Sequence, residues 1–194
     1  MVGFNVASGW GPDDRRAKND FYPTPPAVTR TLLAKEEFFG PILEPCAGAG
    51  HVVRELERAG YDVTSNEPYP QGGFLANDHV SFFSSTNWSD CRSIVTNPPF
   101  RLAEEFIRRT IAMSWIEKHA WLLRLQFVES ARRYPLFRDY PPVRVWVFSK
   151  RVQVSARGLV NPVGGMIPYA WWIWERGHGD RPTELRWFPP DAVK

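Results

Sequence analysis

Cysteine and histidine are too few and too scattered in this sequence to suggest a disulfide framework or a metal site. The 194 residues include two cysteines, Cys46 and Cys91, whose separation fits neither pattern. The four histidines are dispersed along the chain: His51, His79, His119 and His178. We therefore expect no disulfide-stabilised scaffold and no set of metal ligands.

Long apolar runs are missing as well. No stretch of 18 apolar residues is present to span a membrane. Residues 1–10 lack the basic segment and apolar core that mark a secretion signal. These absences favour a cytoplasmic protein without membrane contact. The sequence has no internal repeat, low-complexity tract or linker, so we expect one domain over residues 1–194, with an irregular arm at residues 1–20.

Charge is distributed unevenly along the chain. The net charge is +3, but residues 1–100 hold 8 Lys and Arg against 12 Asp and Glu, whereas residues 101–194 hold 16 against 9. A basic C-terminal half favours an anionic partner, and counterion release makes nucleic acid the partner it suits best. The alternative is a solvated basic surface that binds nothing.

The stretch with the most specific chemistry is Asn97-Pro98-Pro99-Phe100, which follows a short apolar strand predicted over 93–96. Proline fixes φ and has no N–H to donate, so the strand must end there. Asn97 and the carbonyl of Pro98 then become rigid acceptors at the carboxyl end of a sheet, where open α/β sheets bind ligands. Two acceptors beside an aromatic ring suit a planar amine, which donates two N–H bonds and stacks on Phe100. The alternative is a proline-rich turn without chemistry.

A glycine loop (residues 46–50, Cys-Ala-Gly-Ala-Gly) follows another short strand, predicted over 41–45. A helical pattern over 51–59 and a second strand over 61–67 complete a β-loop-α-β unit, whose crossover should be right-handed. Glycines let a ligand approach the backbone closely. The loop does not match the dinucleotide fingerprint, because the third glycine would fall at Val53. Glu67, at the end of the second strand, lies where an acid can accept bonds from ribose hydroxyls.

The remaining elements are predicted from apolar periodicity. A helix should begin after a Thr24 cap and end near residue 38, because proline suits the first helical turn. The other predicted elements are strands at 80–83, 120–125, 143–148, 167–174 and 184–188 and helices at 101–116 and 127–137. A basic loop at residues 149–165, with three glycines, is a candidate for contacting substrate.

These motifs together resemble a known family. S-adenosylmethionine-dependent amino-methyltransferases have cofactor and catalytic motifs similar to Glu44-Pro45-Cys46-Ala47-Gly48-Ala49-Gly50 and Asn97-Pro98-Pro99-Phe100, in that order. The extra cofactor motif of gamma-order DNA N6-adenine methyltransferases resembles Tyr22-Pro23-Thr24-Pro25-Pro26. Residues 123–130 and 169–175 are similar to segments of the small phage- and prophage-type members of this family. The likeness covers roughly residues 20–190.

The resemblance implies a Rossmann-like class I fold: a three-layer α/β/α domain around a mostly parallel seven-stranded sheet with an antiparallel last strand. It implies S-adenosylmethionine as the cofactor. Thr24, helped by Tyr22, would hold its methionine carboxylate, Glu44 would face its amine through the glycine loop, and Glu67 would hold its ribose. The implied cofactor site is Tyr22, Thr24, Glu44, Cys46, Gly48, Gly50 and Glu67, and the implied catalytic residues are Asn97, Pro98, Pro99 and Phe100.

The sequence departs from the family pattern in two ways. Ser81 precedes Phe82-Phe83 where members of the family carry an acid before an aromatic residue, so the contact to the cofactor's adenine is not identified. No large target-recognition domain follows the last strand either. Sequence selectivity would then depend on small loops or on a partner, with Lys150, Arg151 and Arg157 of the 149–165 loop as the nucleic-acid-binding residues.

The predicted reaction is methylation of the N6 amine of adenine in DNA. An aromatic amine is a poor nucleophile, and acceptors at Asn97 and Pro98 favour the pyramidal nitrogen that attacks a sulfonium methyl group; such groups contribute about 3–4 kcal/mol each. No general base or metal is required. The base must be flipped out or single-stranded. The alternatives are RNA adenine methylation, methylation of a protein glutamine amide, and a non-catalytic nucleic-acid-binding subunit of the same fold.

Overall fold

A computed structural model describes residues 23–69, 73–84, 88–152 and 167–193. These residues form four α-helices: α1 (Pro26–Leu33), α2 (His51–Arg58), α3 (Ala103–Ala112) and α4 (Tyr134–Asp139). They also form seven strands: β1 (Ile42–Glu44), β2 (Val63–Ser65), β3 (Ser93–Thr96), β4 (Lys118–Arg124), β5 (Arg144–Phe148), β6 (Tyr169–Glu175) and β7 (Glu184–Phe188). No helix in these ranges has the length and apolar character needed to cross a bilayer.

The strands form one sheet in the order β2-β1-β3-β4-β6-β5-β7. Within it, β6 runs antiparallel to both of its neighbours, and the other pairs are parallel. The predicted mostly parallel seven-stranded sheet is therefore confirmed. The antiparallel strand is the one predicted at 167–174, and β7, the short extra strand predicted at 184–188, lies at the sheet edge parallel to β5.

Helices cover both faces of the sheet, which gives three layers. Alternate strand residues point to opposite faces, so Leu43 and Ile94 belong to a core cluster that contains Phe106 of α3. Ile42 and Val95, one residue away, belong to the other cluster, which contains α1 and α2 side chains. The central strands are buried on both faces, and this explains why β6 is apolar up to its last residue and why the middle of β4, residues 120–123, is apolar.

Three predicted local features were wrong in detail. Residues 81–84 form a turn, and the only pairing the structure describes nearby is an isolated bridge between Asn66 and Asp78. The helix predicted at 127–137 is replaced by two 3-10 turns, Leu125–Val128 and Ala131–Arg133, followed by α4. Proline cannot occupy a helix interior, so Pro135 stands in the first turn of α4. Pro25 occupies the N-cap position of α1 that was predicted for Thr24.

A buried ionic cluster lies at the amino ends of β4 and β5. Glu36, which follows α1, accepts hydrogen bonds from Lys118 at 2.7 Å and from Arg144 at 2.6 and 2.8 Å. The indole N–H of Trp146 donates to the same carboxylate at 2.7 Å. Burial alone would raise the pKa of Glu36, but these bonds outweigh it and hold the pKa at about 2. The cluster joins α1 to the sheet, at the end opposite to the loops described next.

Candidate active site

A cavity of about 360 Å³ opens at the carboxyl ends of β1, β2 and β3. Its walls come from four segments that the sequence keeps apart: the stretch before α1, the glycine loop, the residues after β2 and the turn after β3. Parallel strands carry their ligands at this edge. Of the residues predicted for the site, it is lined by Thr24, Cys46, Gly48, Glu67, Asn97 and Pro99.

The glycine loop adopts a conformation that other residues tolerate poorly. Gly48 has φ +54° and Gly50 has φ +75°, both in the left-handed region. A Cβ on Gly50 would lie 2.3 Å from the ring of Phe74. The loop also closes on itself, since the Gly50 amide donates to the carbonyl of Ala47 at 2.7 Å. Close packing and positive φ together explain why glycine stands here.

Glu44 lies beneath the glycine loop, outside the described cavity lining, and is fully buried. Its Oε1 accepts bonds from the Cys46 amide at 2.9 Å and from the Thr96 hydroxyl, so the carboxyl joins the loop to the end of β3. Its Oε2 has no partner among the described residues. Burial raises the pKa of Glu44 to about 8. Burial also raises the pKa of the Cys46 thiol, which is therefore neutral where it faces the cavity.

Glu67 faces the cavity and fixes the loop from the side of β2. The Gly48 amide donates to its Oε2 at 2.8 Å, and the Tyr69 amide donates to its Oε1 at 2.9 Å. The glycine loop is thus held by one carboxyl from below and by another from the side.

Thr24 connects the segment before α1 to the turn after β3. Its hydroxyl accepts a bond from Nδ2 of Asn97 at 3.0 Å, and it is buried at 4% exposure. Its carbonyl lies 3.1 Å from Nδ1 of His51. Burial, followed by the charge of Arg54, lowers the pKa of His51, so the neutral ring donates from Nδ1 to that carbonyl. Thr24, Asn97 and His51 all line the cavity.

The Asn-Pro-Pro-Phe turn (residues 97–100) follows β3 directly, as predicted. Pro98 and Phe100 lie outside the described cavity lining. The Phe100 ring instead packs near Tyr169, with centroids 5.8 Å apart, and the guanidinium carbon of Arg124 lies 4.7 Å from its centroid. No local pattern indicated that arginine contact, because β4 is far from the turn along the chain.

Aromatic side chains form another part of the wall. Phe82, almost fully buried, stacks on Phe106 of α3 with centroids 4.6 Å apart and ring planes 3° apart. Phe83 is 38% exposed, and Ser81 and Tyr69 also line the cavity. The apolar pair at 82–83 was visible in the sequence but was interpreted as part of a strand. His51 and Phe106 carried no signal beyond helical periodicity.

Two of the three predicted nucleic-acid-binding residues, Lys150 and Arg151, lie just after β5. Lys150 and Arg151 are exposed there, at the same edge of the sheet as the cavity. Arg157, most of the 149–165 loop, Tyr22 and the arm at residues 1–20 lie outside the described residues.

No family model and no curated protein sequence matches the chain. Solved structures do match. The 23S rRNA methyltransferase ErmE is 17% identical, with a TM-score of 0.52 over 84% of this chain and 72% of that one. A candidate class I S-adenosylmethionine-dependent methyltransferase from Listeria monocytogenes is 8% identical, with a TM-score of 0.53 over 87% of this chain and 64% of that one.

A third match is a DrdV–DNA complex solved by cryo-electron microscopy, 12% identical, with a TM-score of 0.52. The match covers 88% of this chain but only 28% of the DrdV chain. These likenesses, with the strand order described above, show that the chain has the Rossmann-like fold of class I methyltransferases. At such low identities they show the fold alone.

Proposed function

We propose that this protein transfers a methyl group from S-adenosylmethionine to the N6 amine of adenine in DNA, like the small phage- and prophage-type enzymes that its motifs resemble. One observation carries the proposal. The glycine loop and the Asn-Pro-Pro-Phe turn, 47 residues apart, line the same cavity. A loop suited to a cofactor and a turn suited to an amine therefore face a single space.

The residues around the cavity fit the proposed cofactor. Gly48, which has a positive φ and lines the cavity, lets the loop present its backbone to a ligand with no side chain between them. Thr24 and Glu67 offer polar atoms for the carboxylate and the ribose, and Tyr22 would assist from the segment before Thr24. The aromatic wall of Phe82, Phe83 and Phe106 suits a purine ring. It supplies the adenine contact that the sequence motifs left open.

Glu44, buried beneath the glycine loop, is proposed to bind the amine of the cofactor. Its Oε2, buried without a partner in the part of the chain that the structure describes, is an acceptor that a cationic amine could complete. Cys46 would contribute packing, because its neutral thiol is a poor ligand for charge. S-adenosylmethionine, when bound, supplies an activated methyl group on a sulfonium centre.

The turn would prepare the acceptor amine. The bond from Nδ2 of Asn97 to Thr24 fixes the amide with its nitrogen toward that hydroxyl and its oxygen on the other side. Oδ1 of Asn97 and the carbonyl of Pro98 would each accept an N–H bond from the amine. Their pull favours a pyramidal nitrogen whose lone pair can attack the methyl carbon. Pro98 and Pro99 keep the two acceptors rigid.

The basic C-terminal half favours nucleic acid over a protein glutamine amide as the substrate. The similar structures include an enzyme named for 23S rRNA and a protein bound to DNA, which is consistent with either nucleic acid. RNA adenine methylation is the second candidate. A non-catalytic subunit is disfavoured, because both the loop and the turn keep the residues that turnover requires.

Parallel transfer of a labelled methyl group to DNA, RNA and protein tests the proposal. We expect label in the N6 position of DNA adenine. Asn97→Ala should lose about 100-fold in turnover while calorimetry shows nearly unchanged cofactor affinity, because this acceptor acts mainly in the transition state. Label only in RNA or protein would contradict the DNA assignment. An Asn97→Ala variant retaining more than about a tenth of the wild-type rate would contradict the role of the turn.

A further inference from the structure

Arg124 is the last residue of β4 and lies beside the Asn-Pro-Pro-Phe turn. In the register of the two parallel strands, Thr96 at the end of β3 pairs with Trp121, so β4 continues three residues beyond it. Arg124 is also the Cα partner of Tyr169, the first residue of β6. It therefore lies at the carboxyl edge of the sheet, at the level of the turn.

The side chain of Arg124 is held by an aromatic ring and not by an acid. Its guanidinium carbon lies 4.7 Å from the centroid of the Phe100 ring, a cation–π contact. The residue is half-buried, and its Nε is buried without an acceptor among the described residues. Two other half-buried arginines are paired: Arg144 with Glu36, and Arg133 with the backbone carbonyls of Phe127 and Glu129.

A partly buried guanidinium without an anion is an incomplete binding site. Its two terminal nitrogens fit a phosphate in two-point contact, since Nε is the only atom of this guanidinium that is buried without a partner among the described residues. Desolvation by a neighbouring ring strengthens that contact. A glutamine amide in a protein presents no such anion, whereas a nucleotide in a strand has a phosphate on each side. The neighbouring basic residues on this edge, Lys150 and Arg151, extend the same preference.

We propose that Arg124, seated on Phe100, binds the phosphodiester next to the methyl-accepting nucleotide. This rests on the proposed function and narrows it: the acceptor amine belongs to a phosphate-flanked base. Arg124 would position the nucleotide, so that the flipped base enters between the glycine loop and the turn. The cation–π contact with Phe100 would keep the guanidinium in position for this phosphate.

The test uses single-stranded oligonucleotides with one adenine. In two of them a neutral methylphosphonate replaces the 5′ or the 3′ phosphate of that adenosine. Arg124→Met, which keeps an apolar stem on Phe100, should lower kcat/KM on the all-phosphate strand about 10-fold or more. On one methylphosphonate strand the wild type and the variant should differ by less than about 3-fold. Arg124→Lys keeps the charge but loses the planar pair of N–H donors. On the all-phosphate strand its kcat/KM should lie between those of the wild type and Arg124→Met.

Arg133→Met is the matched control, because Arg133 is equally half-buried and its guanidinium lies 4.6 Å from the Phe127 ring, outside the described cavity lining. Arg133→Met should have about the same kcat/KM as the wild type on each oligonucleotide. Fluorescence anisotropy of the same strands gives a readout that does not need turnover. A wild type that binds without methylating would refute the proposed function and leave the phosphate comparison readable. An equal loss by Arg124→Met on every strand, or no loss on any, would refute the role of Arg124.

Discussion

At the scale of single residues, the site depends on two carboxyl groups that hold the glycine loop in place. Glu67 accepts two backbone amides and stays on the cavity wall, whereas Glu44 is buried beneath the loop. Glu44 keeps its proton up to a pH of about 8 in the folded chain, against an ordinary pKa of 4.5.

This pKa shift predicts how the stability of the free protein changes with pH. Between about pH 4.5 and 8 the unfolded chain has released the Glu44 proton and the folded chain has not, so the free energy of unfolding should fall as the pH rises. The slope should be on the order of 1 kcal/mol per pH unit. Glu44→Gln is neutral at every pH and should lack this slope. Urea unfolding of both proteins at pH 5 and pH 8 measures the difference, and parallel pH dependences would show that Glu44 is ionised when folded.

Cofactor binding should show the opposite pH trend if Glu44 faces the amine. A nearby cation favours the ionised carboxyl, so S-adenosylmethionine affinity should rise with pH toward about 8 in the wild type. In Glu44→Gln the affinity should be lower and should not rise over this range. Calorimetry between pH 6 and 8 gives the comparison. A wild-type affinity that does not rise with pH would assign Glu44 a purely structural role in joining β1 to β3.

Gly50 allows a second test at this scale. Gly50→Ala and Gly60→Ala both place a side chain at positive φ, at +75° and +88°. That strain costs about 1 kcal/mol in each case. Only at Gly50 does the new Cβ meet a neighbour, the ring of Phe74, whereas nothing lies within 4 Å at Gly60. Gly50→Ala should therefore be less stable by a further 1–3 kcal/mol, roughly, and should bind the cofactor more weakly. Equal melting temperatures and affinities for the two variants would show that the ring yields without cost.

At the scale of elements, the two ends of β4 have different tasks. Its first residue, Lys118, belongs to the buried ionic cluster, and its last, Arg124, lies beside the Asn-Pro-Pro-Phe turn. The cluster ties α1 to β4 and β5 at the end away from the cavity. The site edge is thus built on strands whose opposite ends are fixed.

The cluster should make the fold sensitive to acid. The pKa of Glu36 is held at about 2 in the folded protein, against an ordinary 4.5, so the stability that it contributes is complete above pH 4.5 and is lost as the pH falls toward 2. Glu36→Gln should lose on the order of 2–3 kcal/mol at pH 7, because Lys118 and Arg144 then keep only the partly exposed Glu175 as a charged partner. Its stability should then change less than that of the wild type between pH 4.5 and 2. Denaturant unfolding over this range tests both points.

The elements also show which parts of the fold were accessible from the sequence. The strands β1 and β3 are short runs with an apolar middle that end at Pro45 and at Asn97-Pro98, so local chemistry defined them. Phe82 and Phe83 looked like strand residues, but Phe82 stacks on Phe106 of α3, and no local pattern separates that packing from strand pairing. The contact between Arg124 and Phe100 was equally hidden, since it depends on the register of β3 and β4.

At the scale of the whole molecule, the material left for reading a target sequence is small. A dedicated recognition domain needs roughly 100 residues of its own. Ninety-four residues follow Phe100, and they supply α3, α4 and four of the seven strands. Within this chain, the segments left over are the 149–165 loop, the arm at residues 1–20 and the tail after Gly177, which also contains β7. The loop is the best candidate because its basic residues can neutralise phosphates.

We expect that loop to position nucleic acid rather than to read its sequence. Phosphate contacts carry no sequence information directly. Replacing Lys150, Arg151 and Arg157 together by Ala should weaken binding similarly for all sequences and flatten its dependence on salt. The control replaces three exposed basic residues away from the cavity by Ala: Lys35, Arg138 and Arg181. Anisotropy titrations from 50 to 200 mM salt, roughly, compare the proteins; a salt slope unchanged in the loop variant would place the phosphate contacts elsewhere.

The target that residues 1–194 can read by themselves should therefore be short or relaxed. Each base pair that an enzyme reads needs its own hydrogen bonds or apolar contacts at a base edge, and each such contact discriminates by about 1–3 kcal/mol. A single loop can supply only a few of them, whereas the cavity selects for adenine at one position. Methylation of a DNA library followed by sequencing of N6-methyladenine should reveal modification in many contexts, with preferences confined to the bases next to the adenine. One strict site of six or more base pairs would require a reading surface larger than this loop, and it would overturn the prediction.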